Sequence, residues 1–84
     1  MYTVYVLKSI EVDKIYIGVS SNLEARIIAH NHPKNKGWTK RYMPWTLVYT
    51  EKFETKSEAL KREKQLKSYQ GRQFLRNEIL NKPR

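Results

Sequence analysis

The chain has 84 residues, and we expect one compact domain because two would need a longer chain. Its content of 39% hydrophobic and 30% charged residues excludes a disordered class, while the absence of cysteine excludes disulfides and thiolate metal sites. No targeting segment and no apolar run of membrane length is present, so we predict a cytoplasmic protein without a membrane partner. The net charge of +9 favours a polyanionic partner, and nucleic acid is the commonest one.

Two β-strands are predicted at the start of the chain. Residues 2–7 (YTVYVL) and 15–19 (IYIGV) are rich in β-branched and aromatic side chains, which is typical of strands. The polar residues 8–14 between them suit a hairpin loop, so the two strands should pair antiparallel.

A helix should follow the second strand. Ser21 and Glu24 form a capping-box pattern, which predicts that the helix begins there. Pro33 disfavours helix at the residue before it, so the helix should end near Asn31. The apolar face at helical spacing consists of Leu23, Ile27 and Ile28.

A basic loop and a third strand come next. Residues 34–44 are basic and contain Gly and Pro, whereas residues 46–53 have the composition of a strand. No acidic residue occurs from Ala25 to Thr50, so we predict that the cations of the loop bind phosphates. Trp38 either stacks on an unpaired base or packs in the core. The predicted nucleic-acid contacts are Lys34, Lys36, Trp38, Lys40 and Arg41.

Two helices complete the predicted fold. Thr55 and Glu58 form a second capping box that opens a helix over residues 56–68. Gly71 is expected to interrupt it before a short basic helix over residues 72–80, whose inward residues would be Phe74, Leu75 and Ile79. The order β-β-α-β-α-α predicts an α/β fold of the α+β sandwich type, with a small three-stranded antiparallel sheet flanked by helices. We expect a single domain over residues 1–84.

Glu63 lies where the helix should be apolar. It falls in the stripe formed by Ala59, Leu60 and Leu66. A carboxylate there is costly unless a cation compensates it, and a metal ion or a buried arginine would do so. Alternatively, Glu63 leans into solvent at the edge of the stripe or pairs with Lys67.

Five other residues are candidates for a polar site. Tyr5 and Tyr16 lie on strands that should pair and can share one face of the sheet, although packing alone would also explain them. Gly18 points to that face too, which indicates close approach of another group. Arg26 and His30 are one helical turn apart and can together grip a phosphate, or they are a surface arginine and a histidine bonded to backbone.

Taken together, these residues resemble the GIY-YIG nuclease family. Its two strand motifs read TVY at residues 3–5, without the usual glycine, and YIG at residues 16–18. The helix arginine would be Arg26, followed by the pair His30–Asn31, and an Ala-Leu-x-x-Glu pattern ends at Glu63. The resemblance spans residues 2 to about 68; further similar positions are Thr39, Pro44, Trp45 and Phe53.

The resemblance implies a metal-dependent endonuclease that hydrolyses phosphodiester bonds in nucleic acid, with DNA in repair or recombination as the expected substrate. Glu63 would hold one Mg²⁺ or Mn²⁺, and no small-molecule cofactor is expected. Arg26 would neutralise charge on the phosphate, and Tyr5 would activate the attacking water with Tyr16 in support. His30 completes the catalytic set.

Two other functions remain open at this stage. A nucleic-acid-binding module would keep the fold and the basic surface with little turnover. A role unrelated to nucleic acid is the third alternative.

Overall fold

The computed structural model describes residues 1–80, except for the side chain of Trp38; residues 81–84 of the expected domain lie outside the described residues. The strands are β1 (Tyr2–Ser9), β2 (Ile15–Ser20) and β3 (Trp45–Phe53). The helices are α1 (Leu23–His30), a 3-10 helix (Trp38–Tyr42), α2 (Lys56–Lys67) and α3 (Tyr69–Phe74), which continues as a π-helical turn (Leu75–Leu80). The predicted α+β class and the order β-β-α-β-α-α are confirmed.

The sheet has β1 at its centre, in the order β2-β1-β3, and both pairs are antiparallel. In the β1–β2 pair, Tyr5 lies opposite Gly18 and Leu7 lies opposite Tyr16. The hairpin predicted from residues 8–14 is therefore present. β2 and β3 are the two edge strands.

β1 contributes side chains to two separate cores, one on each face of the sheet. Val4 and Val6 point to one face and Tyr5 and Leu7 to the other, because successive side chains of a strand alternate. All four are fully buried. The first core also holds Ile17, Ala59, Leu66 and Leu75, so it is covered by α2 and the segment after it. The second core also holds Trp45 and is packed by Tyr16, Leu23 and Ile27, so it is covered by α1.

The start of α1 differs from the prediction. Asn22, not Ser21, is the N-cap residue, and its side-chain oxygen accepts a hydrogen bond from the backbone N–H of Ala25 at 3.2 Å. The hydroxyl of Ser20 accepts from the N–H of Asn22 at 2.9 Å, which holds the turn one residue later than the capping box predicts. Ile28 was expected to face inward but is 61% exposed. The predicted end of α1 near Asn31 is correct.

The segment between α1 and β3 is more ordered than a loop of its composition suggests. Asn31 binds the backbone of Trp45 twice, accepting from its N–H at 2.6 Å and donating to its carbonyl oxygen at 3.1 Å. The indole N–H of Trp45 donates to the carbonyl oxygen of Thr39 at 2.8 Å. These bonds fix the 3-10 helix against the second core.

α2 begins as predicted and is oriented by an ion pair. The hydroxyl of Thr55 accepts from the N–H of Glu58 at 3.2 Å, which confirms the second cap. Arg62 donates to both carboxylate oxygens of Glu51 on β3, at 2.9 and 3.0 Å, and Tyr49 donates to the same carboxylate. This bidentate contact fixes the rotation of α2 about its axis.

The predicted break at Gly71 is wrong, because Gly71 lies inside α3. A Cβ atom there would overlap the carbonyl oxygen of Gln65 and would lie 2.5 Å from the Cα atom of Leu66. Glycine is therefore required for α3 to pack against the end of α2. The expected helix over residues 72–80 is replaced by α3 and the π-helical turn, in which Leu75 is buried.

Candidate active site

The centre of the site is a pair of tyrosines on the face covered by α1. Tyr5 is fully buried, Tyr16 is partly buried, and their ring centroids are 6.0 Å apart. Gly18 lies beneath them: a Cβ atom there would be 2.7 Å from the hydroxyl oxygen of Tyr5 and 2.9 Å from Cε1 of Tyr16. The missing side chain of Gly18 is what allows the two rings to lie over β2.

His30 joins the tyrosines from the last turn of α1. It is 7% exposed, and its Nε2 atom lies 3.1 Å from the hydroxyl oxygen of Tyr5. Its Nδ1 atom lies 3.2 Å from the hydroxyl oxygen of Thr39. The ring also packs on Tyr16, with centroids 4.5 Å apart. The ring of His30 therefore meets two side-chain hydroxyls, and the alternative of a histidine bonded to backbone does not hold.

Arg26 lies one turn before His30 and is turned to the same cluster. Its interaction with Tyr5 raises the pKa of Arg26 above its ordinary value. Burial raises the pKa of Tyr5 despite the opposing effect of Arg26. Burial also lowers the pKa of His30, and the charge of Arg26 lowers it further. At neutral pH the cluster therefore holds a neutral phenol, a neutral imidazole and one cation, which suits a phosphate.

Glu63 is carried by the helix on the other face of the sheet. Its side chain is 22% exposed, and its carboxylate pairs with Lys67 at 3.3 Å, as the alternative interpretation expects. Arg62, on one flank of α2, binds β3. Consecutive residues of a helix are about 100° apart, so Glu63 lies on the opposite flank, which faces β2. The structure thus brings Tyr5, Tyr16, Arg26 and His30 together and places the helix of Glu63 behind them.

The predicted apolar stripe around Glu63 is narrower than the sequence suggests. Ala59 and Leu66 are fully buried, but Leu60 is 44% exposed. Glu63 is therefore at the edge of the stripe and accessible to an ion.

The residues fit a weakly held divalent ion rather than an enclosed metal centre. Among residues 1–80, no group of three or more His, Cys, Asp or Glu side chains could hold a metal ion. Mg²⁺ is commonly bound through one or two carboxylates, with water and substrate phosphate oxygens as its other ligands. A single accessible carboxylate such as Glu63 meets that requirement.

The basic segment borders the site. Its four predicted phosphate contacts are exposed: Lys34, Lys36, Lys40 and Arg41. The predicted stacking of Trp38 concerns a side chain that lies outside the described part of the structure. Two residues of this segment contact His30. The sequence analysis named Thr39 only as a position similar to the family, and it missed Asn35. The sequence does contain a signal for Asn35, because asparagine two residues before a glycine is typical of a turn. Its side-chain oxygen accepts a hydrogen bond from the N–H of Gly37 at 2.8 Å.

Comparisons with known proteins identify the family of this chain. The family model described as the GIY-YIG catalytic domain matches residues 1–77, and the chain belongs to that family. It is 41% identical to a UPF0213 protein of Staphylococcus haemolyticus, 42% to one of Staphylococcus epidermidis and 40% to one of Staphylococcus saprophyticus. Each match covers 73 residues, which is 87% of this chain and 88% of the relative. No solved structure matches.

Membership of this family supports a nuclease-type function with nucleic acid as substrate, and its nucleases generally use divalent metal ions. The names of the relatives state no activity. In the described part of the chain, no helix has the length and apolar character needed to cross a membrane.

Proposed function

We propose that this protein is an endonuclease that hydrolyses phosphodiester bonds in DNA with the help of one Mg²⁺ or Mn²⁺ ion. The observation that carries the proposal is the cluster of Tyr5, Tyr16 and His30 on one face of a GIY-YIG domain, with Arg26 one helical turn before His30. A fully buried phenol with an imidazole at its oxygen is more than packing requires.

The cluster assigns a role to each side chain. Arg26 neutralises charge on the scissile phosphate from its position one helical turn before His30. Tyr5 in its ionised form takes a proton from the attacking water, whose oxygen bonds to phosphorus as the bond to the 3′ oxygen breaks. Tyr16 supports the imidazole of His30 by ring contact. Glu63 would hold the divalent ion, which would supply charge neutralisation to the phosphate.

The exposed cations of residues 34–41 extend the positive field away from the cluster. They adjoin the site through Thr39, so a nucleic-acid strand bound along them leads to Tyr5. Because binding through phosphate contacts carries no sequence information, we expect cleavage to depend on substrate structure more than on sequence.

The test uses labelled duplex, single-stranded, flap and junction DNA with Mg²⁺ or Mn²⁺. We expect the wild type to cut at least one substrate and Glu63→Gln to lose cleavage by orders of magnitude while it still binds DNA in Ca²⁺. Arg26→Ala should lose cleavage and bind slightly more weakly, since the guanidinium contacts phosphate in the ground and transition states. Glu58→Gln is the matched control, because the same chemical change is made at an exposed position of the same helix. Equal cleavage by the wild type and Glu63→Gln would contradict the proposed metal site.

One observation favours a second function, that of a nucleic-acid-binding module. Glu63 is paired with Lys67 and lies on the helix behind the tyrosines, which is where a purely structural glutamate would also lie. A wild-type protein that binds every substrate in the panel and cuts none would establish this function instead.

A further inference from the structure

His30 is held from the loop side by two residues that have no assigned role. The side-chain nitrogen of Asn35 donates to the hydroxyl oxygen of Thr39 at 2.6 Å and to the carbonyl oxygen of His30 at 3.1 Å. The hydroxyl oxygen of Thr39 is in turn 3.2 Å from Nδ1 of His30. Asn35, Thr39, His30 and Tyr5 therefore form one continuous hydrogen-bonded chain.

Donor chemistry alone fixes the direction of the first bond in this chain, and the directions of the other two follow from the tautomer that we assign to His30. The amide nitrogen of Asn35 can only donate, so the hydroxyl of Thr39 accepts from it. Thr39 is 4% exposed, and its own hydroxyl proton needs an acceptor, which Nδ1 of His30 provides. The single proton of a neutral imidazole then lies on Nε2, which points to the oxygen of Tyr5.

We propose that Asn35 and Thr39 are positioning residues that fix His30 in its Nε2–H tautomer, so that His30 donates a hydrogen bond to the oxygen of Tyr5. The tautomer itself does not depend on the proposed function, whereas its effect on catalysis rests on that function. The imidazole then places a donor on the phenol oxygen, which stabilises the ionised form that accepts a proton from water. In the other tautomer, Nε2 would accept the phenol proton and give that form no donor.

Asn35 and Thr39 are themselves held in place by further hydrogen bonds. The carbonyl oxygen of Thr39 accepts from the buried indole of Trp45, and the side-chain oxygen of Asn35 accepts from the N–H of Gly37. Both residues lie among the exposed cations of residues 34–41. One short segment would therefore both bind the phosphates and orient the general base, Tyr5.

The test measures the tautomer directly, by the ¹⁵N chemical shifts of the imidazole of His30 above pH 7. His32→Gln removes the other histidine signal. In this background we expect protonated Nε2 and unprotonated Nδ1 for Thr39 and for Thr39→Ser, which keeps the hydroxyl. Thr39→Val should shift the imidazole toward a mixture of tautomers. A wild-type spectrum with protonated Nδ1, or an unchanged tautomer in Thr39→Val, would overturn the inference.

Cleavage supplies the second readout. Thr39→Val should lower kcat about tenfold with little change in KM, as expected for one neutral hydrogen bond, and Thr39→Ser should restore it. Asn35→Ala, at a partly exposed position, provides a milder change of the same kind if Thr39→Val does not fold. The tautomer is measured without substrate, so absence of cleavage would count against the proposed function alone. Cleavage by Thr39→Val at the wild-type rate would count against this inference alone.

Discussion

Gly18→Ala should disable the site by steric contact, and the structure allows its effect to be estimated. The added methyl group would lie 2.7 Å from the hydroxyl oxygen of Tyr5, 2.8 Å from its Cζ atom and 2.9 Å from Cε1 of Tyr16, whereas ordinary contacts begin at 3.4 Å. The ring of Tyr5 must therefore move by about 0.7 Å, from 2.7 to 3.4 Å, although it is fully buried. Overpacking of this kind costs about 1–3 kcal/mol, and a displacement near 1 Å at a reacting group costs on the order of 10²-fold in rate.

The assay combines thermal unfolding with cleavage of the best substrate. For a domain of this size, 1 kcal/mol corresponds to about 4–8 °C in Tm, so Gly18→Ala should unfold well below the wild type. Gly37→Ala is the matched control, because its added Cβ atom would be 3.4 Å from its nearest neighbour and its φ is −81°. That variant should be neutral or more stable by about 0.4–1 kcal/mol. If Gly18→Ala matched Gly37→Ala in both Tm and rate, the steric argument for the tyrosine pair would be refuted.

Four further predictions concern pH, salt and metal. The cleavage rate should rise with pH without a plateau below about pH 10, since burial raises the pKa of Tyr5 and its ionised form is required. The lowered pKa of His30 means that the unfolded chain binds more protons, so the free energy of unfolding should fall as pH drops below about 6.5. Lys67→Met should lower the metal concentration for half-maximal cleavage by about twofold or more, because it releases the carboxylate of Glu63. DNA affinity should fall about 150-fold between 50 and 200 mM salt if four phosphate contacts form, through Lys34, Lys36, Lys40 and Arg41.

Each of these predictions has an outcome that contradicts it. A rate plateau near pH 7 that persists in Tyr5→Phe would remove Tyr5 as the base. An unchanged slope of unfolding free energy against pH in His30→Gln would show that the imidazole is not the group responsible. If Lys67→Met needed the same or a higher metal concentration for half-maximal cleavage, the ion would have to bind elsewhere. A DNA affinity that does not change with salt would exclude the phosphate contacts.

Much of the fold could be predicted from the sequence, because local rules decide it. The alternation in β1 and β2 set the two faces of the sheet, and the cap at Thr55 set the start of α2. The shared face of Tyr5 and Tyr16 followed from the same alternation once the hairpin was assumed. These features depend on neighbours in sequence or directly across a strand pair.

The features that could not be predicted depend on contacts between distant segments. Gly71 is a typical helix-breaking residue, but it is used here to bring α3 against Leu66. The contact of Asn35 with His30 depends on the path of a loop whose composition indicates no regular structure. The position of Glu63 relative to the tyrosines depends on the face of the sheet that α2 covers, and amphipathic spacing alone does not specify that face.

The division of β1 between two cores has a consequence for how this chain can change in evolution. An insertion or deletion of one residue at the start of the strand would exchange its faces, turning Val4 and Val6 to the face covered by α1 and burying the phenol of Tyr5 beneath α2. Variation in length should instead be confined to the hairpin at residues 10–14, where the side chains are exposed.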